Sequence, residues 1–92
     1  MSKEILDKFS ANATHRYGID LYCIDDAITL VKMCQGEAVP VLGLDAFILE
    51  GNKTQPSMDN SIDLSYEADC YSIAIDFLEK RRNSNFLYEV VY

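Results

Sequence analysis

Residues 39–49 read VPVLGLDAFIL, an extended stretch with apolar side chains at both odd and even positions. Successive side chains of a strand point to opposite sides. Leu42, Leu44, Ala46 and Ile48 therefore share one face, and Val41, Asp45, Phe47 and Leu49 share the other. A strand that is apolar on both sides has to be covered at least in part on both. The exception is Asp45, because a carboxylate in an apolar strand is costly unless it is paired, hydrogen-bonded or turned to water. Two roles fit that position: a hydrogen bond to a turn or helix N-terminus, or an exposed contact beside Phe47. Pro40 confines this strand to a start or an edge at that point, and Gly43 reads as a bulge or a close approach of another backbone.

The rest of the chain supplies partners for this strand. Residues 61–65 (SIDLS) alternate with Ile62 and Leu64 on one side. An antiparallel pair with the first strand is expected, through a connection over residues 50–60 that is long for a hairpin. Residues 86–92 (FLYEVVY) form a third strand, with Phe86, Tyr88, Val90 and Tyr92 facing one way. Helical periodicity appears three times. Ile5, Leu6 and Phe9 mark a short helix over residues 3–13 with Ser2 as a possible cap. Ala27, Ile28, Leu30, Val31 and Cys34 follow Asp25 and Asp26 and stop at Gly36, which gives carboxylates at the positive helix end and glycine at the other. Tyr66, Cys70, Ile73, Ala74 and Phe77 line one side of a helix over residues 66–82, with Ser65 as its N-cap and Lys80, Arg81 and Arg82 at its C-terminal end. Residues 14–20 read as a connection and 19–24 as a brief extended piece. The expected fold is a single α+β domain over residues 1–92, in the order ααββαβ. Three helices pack on a small antiparallel or mixed sheet of about three to four strands.

Composition excludes several classes of function. The net charge is −7 and the sequence pI is about 4.4, the opposite of the basic footprint that neutralises phosphates. Anionic membrane surfaces are disfavoured for the same reason. Neither a transmembrane run nor a signal-peptide pattern is present, so a cytoplasmic protein is expected. Cys23, Cys34 and Cys70 are widely spaced, each lies among apolar residues, and His15 is the one histidine. Buried free thiols in a reducing compartment, with no metal site and no cofactor, are the expectation. No glycine-rich phosphate loop occurs, and His15 has no nucleophile motif beside it. A carboxylate set of Asp45, Asp59 and Asp63 is the one acid–base candidate, and an enzyme is not expected.

The acidity is uneven. Glu37, Asp45, Glu50, Asp59, Asp63, Glu67, Asp69, Asp76 and Glu79 fall between Met33 and Glu79, against Lys53 alone. Like charges crowded on one surface repel, and a basic partner would relieve them; the plainer reading is a solvated helix face with ordinary capping carboxylates. Asp45, Asp59, Asp63, Asp69, Asp76 and Glu79 are the candidate partner contacts. Tyr66 and Tyr71 read as partly core, and Tyr92 as the freest aromatic.

The run Val41-Leu42-Gly43-Leu44-Asp45-Ala46-Phe47, the turn Gln55-Pro56-Ser57, the segment Ile62-Asp63-Leu64-Ser65, the helix ending Phe77-Leu78 and the strand Tyr88-Glu89-Val90 together resemble small bacterial immunity proteins. These protect cells from polymorphic toxins or toxins of contact-dependent growth inhibition. The helix containing Ala27-Ile28-Thr29-Leu30-Val31 fits the same pattern. The resemblance implies a stoichiometric inhibitor, monomeric in its complex, of a cognate toxin domain. Such toxins are often nucleases with basic clefts, where carboxylates can stand in for phosphates. The family shares no one set of binding residues, so the resemblance assigns none here. The alternatives are a general protein-interaction module or a subunit of a larger assembly, pairing through the terminal FLYEVVY strand.

Overall fold

A computed structural model describes residues 4–92, and the expected cap Ser2 and helix start Lys3 lie outside the described residues. Three α-helices and two small antiparallel sheets make an α+β fold. In chain order they are α1 (Glu4–Phe9, continued by a 3-10 turn, Ser10–Asn12), β1 (Thr14–Arg16), β2 (Ile19–Leu21), α2 (Ile24–Gly36), β3 (Gly43–Glu50), β4 (Lys53–Asp63), α3 (Cys70–Glu79) and β5 (Leu87–Val91).

The larger sheet has the order β4-β3-β5, which makes the strand around Asp45 central. Its alternation decides the layering. Leu44 and Ala46 of β3, with Tyr88 and Val90 of β5, are buried in one core with Ala27, Leu30, Val31 and Cys34 of α2 and Ala74 and Leu78 of α3. The helices thus cover one face of the sheet, and Leu6 of α1 joins the same core. Phe47, Leu49, Leu87 and Val91 alternate to the other side and are only half-buried. The sequence implied cover on both faces of this strand; full cover exists on one.

The strand order departs from ααββαβ at the N-terminal side, where residues 14–21 form a hairpin instead of a connection. Tyr17 and Gly18 both have positive φ, as the two central residues of a type I′ turn require, and Arg16 pairs with Ile19 across them. A tyrosine in the first position hid the turn from sequence reading. Tyr22, just beyond β2, exchanges two 2.8 Å backbone hydrogen bonds with Tyr88 and so reaches the outer edge of β5. The outer edge of the terminal strand is therefore engaged at Tyr88.

The connection expected over residues 50–60 is in fact mostly strand. β3 and β4 are joined by Gly51 and Asn52 alone, with Glu50 opposite Lys53 and positive φ at Gly51. Periodicity could not reveal the first half of β4, since KTQPSMDN faces water on a sheet edge and needs no apolar face. Lys53, Pro56 and an interruption in the ladder blunt that edge against further pairing. Ala46 pairs with Ser57 but Leu44 pairs with Ile62, so residues 58–61 bulge out opposite Asp45. Side chains hold the bulge. The Ala46 N–H donates to Ser61 Oγ at 3.0 Å, Ser61 donates to the Ser57 carbonyl at 2.8 Å, and Arg81 Nε donates to Asn60 Oδ1 at 3.2 Å. Gly43 supplies the expected close approach, because a Cβ there would lie 3.0 Å from the Ile62 carbonyl oxygen.

Two helix ends differ from expectation. α3 begins at Cys70, not Tyr66, because the Ser65 amide and hydroxyl turn back onto Asp63 and the Glu67 amide bonds the Leu64 carbonyl. Those turns use the donors that would have opened the helix, and Tyr66 is left 97% exposed instead of in the core. Asp69, not Ser65, holds the N-cap position. At the end of α2, Gly36 is the last helical residue, and the left-handed conformation falls on Ala38 (φ 55). The Val39 amide bonds the Cys34 carbonyl and the Ala38 amide bonds that of Gln35, which is the Schellman closure with alanine where glycine usually sits. Cys23, expected to be buried, is exposed ahead of α2; Cys34 and Cys70 are buried.

An L-residue in the left-handed region costs about 1–2 kcal/mol, partly offset by the greater unfolded-chain entropy of glycine. Ala38→Gly should therefore raise stability by roughly 0.5–1 kcal/mol. An unchanged or lower midpoint in urea denaturation would contradict this reading of the helix end.

Candidate functional site

The uncovered face of the larger sheet is organised by three cross-strand pairs of β3 and β5: Phe47 with Leu87, Asp45 with Glu89, and Gly43 with Val91. Pro56 flanks Phe47 from β4, and Asp63 lies beside Gly43. Two carboxyl groups thus stand opposite one another in the middle of an otherwise apolar patch. Like charges in that position destabilise a sheet.

The chemistry of the pair follows from its surroundings. Partial burial holds the Glu89 carboxyl above its ordinary range; the Asp45 charge, a hydrogen bond between the two carboxyl groups and the Asp20 charge act in the same direction. No lysine or arginine forms an ion pair with Asp45, Asp63 or Glu89 among the described residues.

The bulge in β4 and the missing side chain of Gly43 leave a depression of about 400 Å³ beside the pair, lined by Leu42, Asp45, Met58, Asp63 and Val91 among others. A second depression of about 240 Å³ lies across Val91 and holds Asp20, Tyr22, Glu89 and Tyr92. Asp20 also meets His15 Nδ1 at 2.5 Å across the β1–β2 hairpin. Leu42 is 41% exposed and Met58 77% exposed, so the rim offers apolar surface to anything that docks. The lining contains no lysine, arginine or histidine that could hold a phosphate.

Of the six carboxylates singled out from the sequence, Asp45 and Asp63 line the same depression. Hydrogen bonds from the Ser65 hydroxyl and amide hold the Asp63 carboxyl below the usual range. Asp59 sits exposed on the bulge at the sheet edge. Asp76 and Glu79 lie on α3 and Asp69 at its N-cap, in the helix layer on the other side of the sheet. Asp76 pairs with Lys80 at 2.9 Å, and Glu79 pairs with Arg82 at 2.5 Å. Arg82 also reaches Asp25 of α2 at 2.5 Å, which ties the start of one helix to the end of the other. The six residues therefore do not form one surface. Glu89 and Asp20 complete the acidic centre of the sheet face, and neither was singled out from the sequence. Glu89 lies in a strand whose alternation is legible in the sequence, and its position opposite Asp45 follows from one register assignment.

No family model, characterised protein or solved structure matches the chain. Among the described residues no helix is long and apolar enough to cross a membrane.

The raised Glu89 carboxyl has a thermodynamic consequence. A group whose pKa is higher in the folded state stabilises the fold below its unfolded value, and loses that contribution as pH rises through the folded value. Glu89→Gln should flatten the loss of stability between the ordinary glutamate value of 4.5 and neutrality. At neutral pH it should be more stable than the parent chain by about 0.5 kcal/mol, since a half-exposed like-charge pair is screened by water. Denaturation midpoints of both proteins across that window test this; a parallel pH dependence would refute the carboxyl pairing.

Proposed function

We propose that this protein is an immunity protein, a stoichiometric binder that neutralises a basic toxin domain in the cytoplasm of the cell that makes it. One observation carries the reading. The sheet face has an acidic centre of Asp45, Glu89, Asp20 and Asp63 within an apolar surround, and among the described residues no lysine or arginine pairs with Asp45, Glu89 or Asp63. A directly opposed carboxylate pair is a cost to the isolated protein, and such costs are characteristic of surfaces whose use lies in binding. Electrostatic complementarity to a basic cleft speeds encounter and rejects wrong partners.

The resemblance in residues 27–91 to immunity proteins supports the same conclusion. The contacts are assigned to the sheet face, with Asp45 and Asp63 from the original set joined by Glu89 and Asp20, and with Asp59 at the rim. Asp76 and Glu79 contribute less, because their charge is already balanced by Lys80 and Arg82. A nuclease domain is the favoured toxin, because its substrate cleft is basic by necessity.

If a neighbouring gene encodes a secreted protein, co-expression with that protein's C-terminal domain tests the proposal. A one-to-one complex on size exclusion, together with rescue of growth, is expected. Unrelieved toxicity and separate elution would refute it.

A further inference from the structure

We infer that the open face of the β4-β3-β5 sheet docks its protein partner through an arginine side chain that enters between Asp45 and Glu89. The inference rests on the neutralising reading and specifies the contact within it.

The two carboxyl groups come from residues paired directly across adjacent strands, so a guanidinium can bond to both at once. Arginine suits the site better than lysine for two physical reasons. Its planar fork matches two neighbouring carboxylates, and it is more weakly hydrated, so an apolar surround costs it less. The surround here is Phe47 with Leu87 on one side and Val91 over Gly43 on the other. Phe47 also offers an aromatic face to a cation. The same chemistry occurs within the chain, where the Arg81 guanidinium lies 3.6 Å from the centre of the Phe77 ring.

Other occupants fit less well. A second copy of this chain on the same face would set its own Asp45, Glu89 and Asp20 against theirs. Nucleic acid would meet the same carboxylates with phosphates. An opposite-charge protein surface with apolar flanks satisfies both features of the patch.

The test uses the intact protein, isotope-labelled for NMR, and a capped pentapeptide with a central arginine between leucine and tyrosine. Amide shifts of Asp45, Phe47, Glu89 and Val91 should move together and saturate. The same peptide with lysine in place of arginine should bind about threefold more weakly. The double variant Asp45→Asn, Glu89→Gln should lose about tenfold in affinity or more while keeping its spectrum folded, and Asp76→Asn should bind as the parent does. Shifts centred on α3, equal affinity for both peptides or no saturable shift would each overturn the inference, as would concentration-dependent shifts on this face without peptide, which would assign it to a second copy. A toxin complex formed through α3 would leave the neutralising function intact and remove this contact. Peptide binding at the pair without any toxin complex would do the reverse.

Discussion

The alternation of β3 is the constraint on which the structure depends. Leu44 and Ala46 must be buried, and Asp45 between them must not be, so the strand fixes which side of the sheet receives the helices. A register slip of one residue would bury the carboxylate and expose the core positions. Every other element adjusts to that choice. β5 pairs in the register that sends Tyr88 and Val90 inward, and α2 and α3 cover the result. β4 pairs only where it can, and breaks its ladder opposite Asp45.

Buried elements were legible in the sequence because burial imposes a period. The core faces of α2, β3 and β5 were all readable from apolar spacing, and so was the α+β class. Elements facing water had no such signature. The first half of β4 is polar on both sides, and the β1–β2 hairpin turns on Tyr17 and Gly18 where asparagine–glycine is the familiar signal. Helix ends were misjudged where local hydrogen bonds competed with the helix. Asp63 captures Ser65 and shortens α3, and Ala38 takes the left-handed position that Gly36 was expected to mark.

The candidate site was half legible for a related reason. Asp45 stood out as a carboxylate inside an apolar strand, a conflict visible without a structure. Glu89 did not stand out, since a glutamate alternating with Leu87 and Val91 is ordinary by itself. Its significance is relational and comes from facing Asp45 across the sheet. Local density of charge along the chain points instead to α3, whose Asp76 and Glu79 pair with Lys80 and Arg82 just past its end.

That cancellation changes how the net charge of the chain should be understood. An acidic residue beside an arginine or lysine adds little field beyond the Debye length and little cost to folding. Asp76 and Glu79 are of that kind, and so is Asp25 beside Arg82. Asp45 and Glu89 differ, because they are half-buried, opposed and without an ion-pair partner among the described residues. Folding does not require the pair: an amide at either position would fill the same space without the repulsion. The sheet tolerates the cost because both groups are only half-buried and water screens their repulsion. The part of the −7 that can do chemical work on another molecule is therefore small and local, and it lies on the face that the chain's own helices leave open.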